Sequence, residues 1–282
     1  MTLRSLGIGL AAASFCLSHS STMAANSLQP GEASRLTIGG GFGVLSRPDY
    51  RGSAETDSLA LPLPYVAYES RKLQLTREGL VAKLLNLENL QIRLSGSGAL
   101  PGNDSEQTTR RGMPDLLPTF ELGPSLDWRF SERGGDWELR LPVRAAVASD
   151  LSETENIGWI ANPNLHFERE RQHGAWEVET SAGIGPMWAI RKYHRYFYQV
   201  ETQYALPDRP AYDPGGGYNG LRGTAYMGLR RGPWRFGLRI THDRLDGARF
   251  EDSPLVERDS STVIGVGLFY TFWTWIRPIA AE

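Results

Sequence analysis

The feature that most constrains the fold is the alternation of polarity in residues 234–272, which has a period of two. In residues 234–243 apolar side chains occupy one parity, and polar or charged side chains, among them Arg235 and Arg239, occupy the other. After an intervening loop, residues 262–272 alternate again, with large apolar side chains on one face and mainly small ones on the other. A β-strand points successive side chains to opposite faces, so this pattern predicts two long strands that each have an apolar face.

The residues at the ends of these strands favour a membrane barrel over a soluble sheet, which would also alternate. Trp234 stands at one end of the first apolar face, and Tyr270 and Phe272 stand at the far end of the second. Such aromatics are expected at the two interfacial girdles of an outer-membrane barrel. The opposite face carries arginines, which a soluble core rarely accepts. We therefore predict an all-β fold, a single antiparallel transmembrane β-barrel in contact with outer-membrane lipid.

The same alternation recurs along the chain and predicts about twelve strands between residues 34 and 272. The count is ten if residues 73–76 and 80–85 form one strand or a helical turn instead of two strands. In the second predicted strand, Pro62 and Pro64 indicate weak or edge-like pairing, because proline has no N–H to donate. The predicted strands are residues 34–46, 58–68, 73–76, 80–85, 90–95, 119–130, 136–147, 158–169, 175–189, 221–231, 234–245 and 262–272.

The connections between these strands alternate between short turns and long polar loops, as in outer-membrane barrels. An even number of strands places both termini on one side, which we predict to be periplasmic. Glycines on the inward parity of the first strand are expected to let neighbouring side chains crowd the lumen. After the first 25 residues no apolar run reaches the roughly 18 residues that a membrane-spanning helix needs.

The N-terminal residues have the composition of an export signal. Arg4 supplies the positive charge, residues 6–17 the apolar run, and residues 22–24 a small-residue cleavage site. We predict a signal peptide at residues 1–24 and a mature barrel at residues 25–282, located in the outer membrane of a Gram-negative bacterium. A lipid anchor on Cys16 is the alternative, although Phe15 is bulky where that motif requires a small residue. The formal net charge of −2 argues against a nucleic-acid partner.

The inward parity of the predicted strands carries charges of both signs. In a narrow lumen these charges are expected to pair, because an unpaired buried charge is unfavourable. Two interpretations stay open: a rigid lumen filled by its own side chains, and a narrow, weakly selective polar passage. The predicted lumen network consists of Arg93, Glu121, Asp127, Arg129, Glu138, Arg140, Arg144, His166, Glu168, Glu177, Glu179, Arg222, Arg230, Arg235, Arg239 and Asp243.

Four loop segments resemble those of the MipA/OmpV family, and they follow one another between the predicted strands in the same order as in that family. The resemblance covers essentially the whole mature chain. That resemblance implies a Gram-negative outer-membrane barrel that interacts with a periplasmic lytic transglycosylase and with peptidoglycan synthesis. Residues 273–282 depart from the usual barrel ending, because the chain continues past Phe272. The segments are Pro48, Asp49, Tyr50, Arg51, Gly52 and Ser53; Gly112, Met113, Pro114 and Asp115; Asp213, Pro214, Gly215, Gly216 and Gly217; and Asp252, Ser253, Pro254, Leu255 and Val256.

The histidines of the mature chain are its candidate catalytic bases. His166 and Glu168 share the lumen face, which is how a base and its orienting group could be arranged, but two members of a polar network are the simpler interpretation. His242, near Asp243, is expected to cap a loop. No cysteine cluster or His/Glu spacing typical of a zinc or iron site occurs. We therefore expect no catalytic residues, no metal and no cofactor.

The aromatic segment at residues 193–198 has two interpretations, a binding patch and a loop that folds over the barrel mouth.

For the protein as a whole, the hypothesis favoured here is a non-enzymatic scaffold for murein-remodelling enzymes. The alternatives are a porin-like channel for small solutes and a surface adhesin or receptor, the last resting on the long loops. Binding to a periplasmic hydrolase would support the scaffold, and conductance in a planar bilayer would support the channel.

Overall fold

The computed structural model describes residues 32–70, 73–76, 79–87, 89–101, 109–132, 135–150 and 152–278. The predicted signal peptide at residues 1–24 lies outside these ranges and stays a prediction. The strands are β1 (Glu32–Pro48), β2 (Thr56–Ser70), β3 (Leu73–Thr76), β4 (Gly79–Leu87), β5 (Leu90–Ala99), β6 (Thr119–Glu132), β7 (Gly135–Ser149), β8 (Thr154–Ala161), β9 (Asn164–His173), β10 (Trp176–Ala189), β11 (Gly217–Arg231), β12 (Trp234–Arg244) and β13 (Ser260–Pro278). A helix, α1 (Arg191–Tyr198), and a short 3₁₀-helix (Thr202–Tyr204) lie between β10 and β11.

These thirteen strands form one antiparallel sheet that closes on itself, because β1 pairs with β13 and β10 pairs with β11. β8 and β9 are two parts of one interrupted strand, since both run antiparallel to β7 and to β10. The interruption falls at Asn162 and Pro163, inside the predicted strand 158–169. The described strands therefore occupy twelve positions around the ring, so the predicted antiparallel barrel of about twelve strands is confirmed.

The two rims of the barrel differ in the length of their connections. On the rim where β1 begins and β13 ends, hairpins such as β6–β7, β9–β10 and β11–β12 are joined by only two residues. The opposite rim carries the connections 49–55, 100–118, 150–153, 190–216 and 245–259. Glu32 of β1 pairs with Pro278 of β13, so both ends of the described chain lie on the short-turn rim. Among the described residues, no helix is long and apolar enough to cross a membrane.

On the strands whose side chains the structure describes, the outer face is largely apolar, as the parity of the sequence predicts. Large apolar side chains that a soluble protein would bury are exposed on every long strand, which indicates contact with lipid. On the opposite parity the charged and small side chains are buried. The exposed members include Phe42, Val44, Leu122, Trp128, Leu141, Val143, Trp159, Leu165, Ile184, Trp188, Met227, Trp234, Ile240, Ile264, Val266 and Leu268.

The prediction for the aromatic girdles was wrong in one respect. Trp234 pairs in register with Tyr270, and their ring centroids are 4.9 Å apart, so both lie on the short-turn rim. The antiparallel pairing of β12 with β13 causes this, because the start of one strand meets the end of the other. Near the loop-bearing rim, aromatic contact comes from Trp188 and Tyr218, whose centroids are 6.2 Å apart.

The wall near β1, β2 and β13 is packed by apolar side chains on its inner face. Leu63, Tyr65 and Phe269 form a buried cluster there. The glycines of β1 make this possible, as predicted: a Cβ at Gly43 would lie 2.6 Å from Leu63 Cδ1, and one at Gly41 would lie 2.7 Å from Phe269 Cδ1. The lumen is therefore partly filled by apolar groups as well as by charges.

β2 has the unequal pairing that its prolines predict. It pairs with β1 along its whole length, whereas its described pairs with β3 are limited to Tyr68 and Glu69. Pro62 and Pro64 point outward, opposite in parity to the buried Leu63 and Tyr65. The upper part of β2 is therefore edge-like toward β3 among the described residues.

Candidate functional site: the lumen network and its loop cap

The lower part of the lumen holds a buried cluster centred on Glu138. Its carboxylate accepts hydrogen bonds from Arg129 Nη2 at 2.8 Å, from Arg140 Nε at 2.8 Å and from Arg93 Nη2 at 3.2 Å. Arg93 also donates through Nε to Asp127. The side chains of Glu138, Asp127, Arg93 and Arg140 are all at most 6% exposed. Glu138 thus accepts hydrogen bonds from three guanidinium groups, one of which also pairs with Asp127, in a region from which water is largely excluded.

The strand register explains why these groups meet. Arg129 pairs with Glu138 and Asp127 pairs with Arg140 across β6 and β7. Arg93 lies on β5, opposite Ser125 of β6. All five therefore share the inward parity of three adjacent strands, and the ion pairs run along the wall from strand to strand.

A second cluster lies near the loop-bearing rim and is centred on Asp243 of β12. Arg222 of β11 donates to its two carboxylate oxygens at 2.7 and 2.6 Å, and Arg51 Nε donates at 2.6 Å. Arg51 also donates to the side chain and the backbone carbonyl of Asn219 at 3.0 and 2.7 Å. Because Arg51 belongs to the loop after β1, this cluster ties a loop to the lumen.

On the opposite wall the lumen makes contact with helix α1. Arg144 donates to Ser95 Oγ at 3.0 Å and to Glu121 Oε2 at 3.5 Å. The hydroxyl of Tyr193 donates to the other oxygen of Glu121 at 3.3 Å. Burial raises the pKa of the Tyr193 phenol well above its ordinary value, so the phenol remains a neutral donor.

The remaining predicted members of the lumen network lie on β9 to β12. Arg230 pairs with Glu177 across β10 and β11. The guanidinium of Arg235 lies 5.6 Å from the ring centroid of Tyr65, and that of Arg239 lies 5.2 Å from that of Tyr226. Three further members face the lumen and are at least nine-tenths buried, namely His166, Glu168 and Glu179.

His166 and Glu168 both lie on β9 but pair with different residues of β7. His166 lies opposite Glu138, and Glu168 lies opposite Asp136. His166 thus lies beside the cluster centred on Glu138. His242 faces outward, and its Nδ1 lies 2.9 Å from Thr262 Oγ1 on the neighbouring strand. In the part of the chain that the structure describes, no group of three His, Cys, Asp or Glu side chains could hold a metal ion.

The long loops fold together into a cap over one end of the lumen. We define the loop cap as residues 49–55, 109–118, 190–216 and 245–259, together with the core that they share. Tyr198 stacks on Phe250 with ring centroids 3.7 Å apart. Around this pair lies a buried apolar cluster that includes Tyr50, Leu116, Val200, Leu245, Ala248 and Leu255.

The loop segments of the predicted family motifs meet in this cap. The hydroxyl of Tyr50 donates to the Leu255 carbonyl at 2.8 Å, and that of Ser253 donates to the Tyr198 carbonyl at 2.8 Å. Tyr198 in turn donates to the carbonyl of Arg51 at 3.0 Å. Burial raises the pKa of Tyr198 to about 12, so this hydroxyl keeps its proton at neutral pH.

The glycine-rich segment 213–217 holds α1 in place. His194 Nδ1 lies 2.6 Å from the Gly215 carbonyl, so this nitrogen carries the proton, and burial lowers the pKa of the ring. Gly216 permits close approach, because a Cβ there would lie 2.6 Å from the backbone nitrogen of Arg191. Hydrogen bonding by Arg195 lowers the pKa of Asp213 to about 2. Of the two interpretations of residues 193–198, the structure places this segment over the barrel mouth, as a helix whose Tyr193, His194 and Tyr198 are buried.

Arg51, Asn219 and Tyr193 were not among the predicted members of the lumen network. Each belongs to a loop or lies where a loop joins a strand, so strand parity gave no direction for its side chain. The available signal was the arginine inside the first loop motif, because an arginine that becomes buried is usually paired with a carboxylate. Its partner, Asp243, could not be identified from the sequence because it is 192 residues away.

A closed antiparallel ring with an exposed apolar belt, buried charges inside and long loops on one rim defines an outer-membrane β-barrel. The sequence profile of the family described as MltA-interacting protein MipA matches residues 40–272. The chain therefore belongs to the MipA family. The segments predicted to resemble that family all lie within the matched region.

Comparison with solved structures gives distant similarities. The chain is similar to an outer membrane channel from Pseudomonas putida F1, with 9% sequence identity, a TM-score of 0.34, and 90% of this chain and 100% of that chain covered. It is also similar to the outer membrane channel DcaP of Acinetobacter baumannii, with 9% identity, a TM-score of 0.29, and 87% and 99% of the two chains covered. No curated protein matches the sequence.

Proposed function

We propose that this protein is a non-enzymatic scaffold that anchors a murein-remodelling enzyme to the outer membrane. The observation that carries the proposal is the end of β13. From residue 261 to 271 the strand alternates in burial, but from Phe272 to Pro278 every residue is exposed. A strand that is exposed on both faces has left the barrel interior. It therefore projects from the short-turn rim as a surface available to a partner.

This projection has the properties of a protein-binding surface. The last pair between β13 and β12 is Tyr270 with Trp234, whereas pairing with β1 continues to Pro278. Beyond Thr271 the other edge of β13 thus has no strand partner among the described residues, and such an edge can accept a strand from another protein. Trp273 and Trp275 are 50% and 43% exposed, and aromatic residues are enriched at protein interfaces.

The side of the membrane is part of the proposal. Short turns are periplasmic in outer-membrane barrels, and both ends of the described chain lie on the short-turn rim. The projection would then face the peptidoglycan layer. The family is described as MltA-interacting, so we propose a periplasmic lytic transglycosylase as the partner, with a peptidoglycan synthase as a further member of the assembly.

Two features support an anchor rather than an open passage. Lumen-facing residues such as Asp127, Glu138 and His166 are only 1–4% exposed, whereas the walls of a water-filled channel would be wet. The loop cap also lies over one end of the lumen. A rigid barrel with a filled interior is suited to holding a partner in position, and it needs no catalytic group of its own.

The experiment measures binding between the folded full-length protein in nanodiscs and a purified lytic transglycosylase of the MltA type. We expect saturable binding by the wild type and at least tenfold weaker binding by the double variant Trp273→Ser/Trp275→Ser. The matched control is Trp159→Ser, which removes an exposed tryptophan at the opposite rim. Absence of binding by the wild type, or equal binding by all three proteins, would refute the proposal. Steady conductance of the wild type in a planar bilayer would support the channel instead.

A further inference from the structure

The upper lumen contains a cavity of about 140 Å³ that the scaffold proposal does not use. It lies between the barrel wall and helix α1, where Tyr193, Phe197 and Tyr198 form part of its lining. Its wall includes inward-facing residues of β1, β5, β6, β12 and β13. A cavity bounded by both strands and the loop cap is built from distant parts of the sequence.

Arg47 of β1 lines this cavity and is 4% exposed. Two of its guanidinium nitrogens, Nε and Nη1, are buried and have no hydrogen-bond acceptor among the described residues. The third, Nη2, lies 3.9 Å from Asp57 Oδ2, which is beyond hydrogen-bonding distance. Because the side chain of Asp57 is 36% exposed, water weakens that attraction further.

Three carboxylates line the cavity, and none of them accepts a hydrogen bond from Nε or Nη1 of Arg47. Asp49 attracts the charge of Arg47 but does not reach these two nitrogens. Asp243 accepts hydrogen bonds from both Arg51 and Arg222. Glu121 accepts from Arg144 and from Tyr193. A buried guanidinium with unused donors is unfavourable, and an anion placed in the cavity would satisfy it.

The rest of the lining is largely apolar and sets the class of ligand. Leu45, Leu100, Leu116, Ile160, Phe197 and Val263 all contribute to it. An apolar cavity of about 150 Å³ accepts benzene, so the volume of this cavity suits a group of that size. We propose that this cavity binds a small organic monocarboxylate whose carboxylate pairs with Arg47 and whose apolar body packs against the aliphatic and aromatic lining.

Benzoate is a suitable probe, and benzamide is its neutral counterpart of nearly the same shape. Isothermal titration of the folded full-length protein should show saturable benzoate binding, with benzamide at least tenfold weaker. Arg47→Gln should weaken benzoate binding roughly 10- to 100-fold, as expected for loss of a charge-assisted hydrogen bond. The control Arg258→Gln changes an exposed arginine of the loop cap and should leave benzoate binding unchanged.

The comparison of benzoate with benzamide needs only the wild type, so the proposal remains testable if Arg47→Gln does not fold. Equal affinity for the two probes, no benzoate binding up to millimolar concentration, or unchanged binding in a folded Arg47→Gln protein would each overturn it. Competition by sulfate as strong as that by benzoate would also overturn it, because the apolar lining would then have no role. These outcomes are independent of whether the short-turn rim binds a murein enzyme.

Discussion

Replacing Glu138 by Gln tests whether the buried charges of the lumen depend on one another. The substitution preserves the size of the side chain but removes the negative charge that Arg93, Arg129 and Arg140 share. Asp127 would keep its hydrogen bond with Arg93 and would offset only part of the positive charge. Removing one partner of a buried ion pair typically destabilises a protein by about 3–5 kcal/mol, because the remaining charge stays buried. Since Glu138 is 4% exposed, we expect a loss within that range.

Urea unfolding in lipid vesicles, followed by tryptophan fluorescence, would measure the free energy of unfolding. The matched control is Asp208→Asn, which also removes one carboxylate from an ion pair with arginine. That pair, with Arg111, is 60–65% exposed, so its loss should change the free energy by only about 0–1 kcal/mol. Equal effects of the two substitutions would refute the reasoning, because they would mean that the lumen is wet enough to solvate three arginines.

Three further outcomes are expected. Leu238→Arg should destabilise the barrel by about 2–4 kcal/mol if residue 238 lies near mid-membrane, and it should destabilise the barrel more than the inward change Arg239→Leu. A larger effect of Arg239→Leu on unfolding in vesicles would show that the two faces of the strand are reversed. Gly41→Ala should lower the free energy of unfolding by about 1–3 kcal/mol, because the new Cβ would lie 2.8 Å from the Cα of Phe269. Gly96→Ala should be nearly neutral in the same assay, because the atom nearest to its new Cβ is 3.4 Å away. Burial, and then the neighbouring Glu55, raise the pKa of Asp49 to about 6 from an ordinary value of 3.8. The protonated side chain therefore contributes its full stabilisation below about pH 4, and this stabilisation is lost as the pH rises through 6. Asp49→Asn should therefore raise the unfolding midpoint at pH 7.5 relative to the wild type and change it little at pH 4, and equal shifts at both pH values would contradict this assignment.

The wall of the barrel could be predicted from the sequence because a strand has only two faces. Once Leu238 is assigned to lipid, Arg239 must face the lumen, and the same reasoning places Glu138 and Asp127 inside. The position of a residue along the membrane normal is harder to predict, because it depends on which strands are neighbours. That is why Trp234 and Tyr270 were assigned to different rims although they are in contact.

The loop cap could not be predicted in the same way. Its residues have no regular period, and its contacts join segments far apart in the chain, such as Tyr50 with Leu255 and Tyr198 with Ser253. The loop motifs indicated that these segments matter but did not show that they meet. Helix α1 was missed as a helix because four of its eight residues are Tyr or Phe, which favour helices less than Ala, Leu or Lys do.

The ion pairs and the loop cap make different contributions to a closed barrel. The hydrogen-bonded pairs of the lumen connect adjacent or next-adjacent strands, as in Arg230 with Glu177 and Arg222 with Asp243, so they fix strand register within the wall. Closure over the mouth comes instead from the cap, whose stacked Tyr198 and Phe250 are held by loops from several strands. Loss of an ion pair confined to the wall, such as those of Glu138, should therefore weaken the wall without removing the cap. Arg51 with Asp243 and Tyr193 with Glu121 join the cap to the wall, so substitutions at these positions should loosen both.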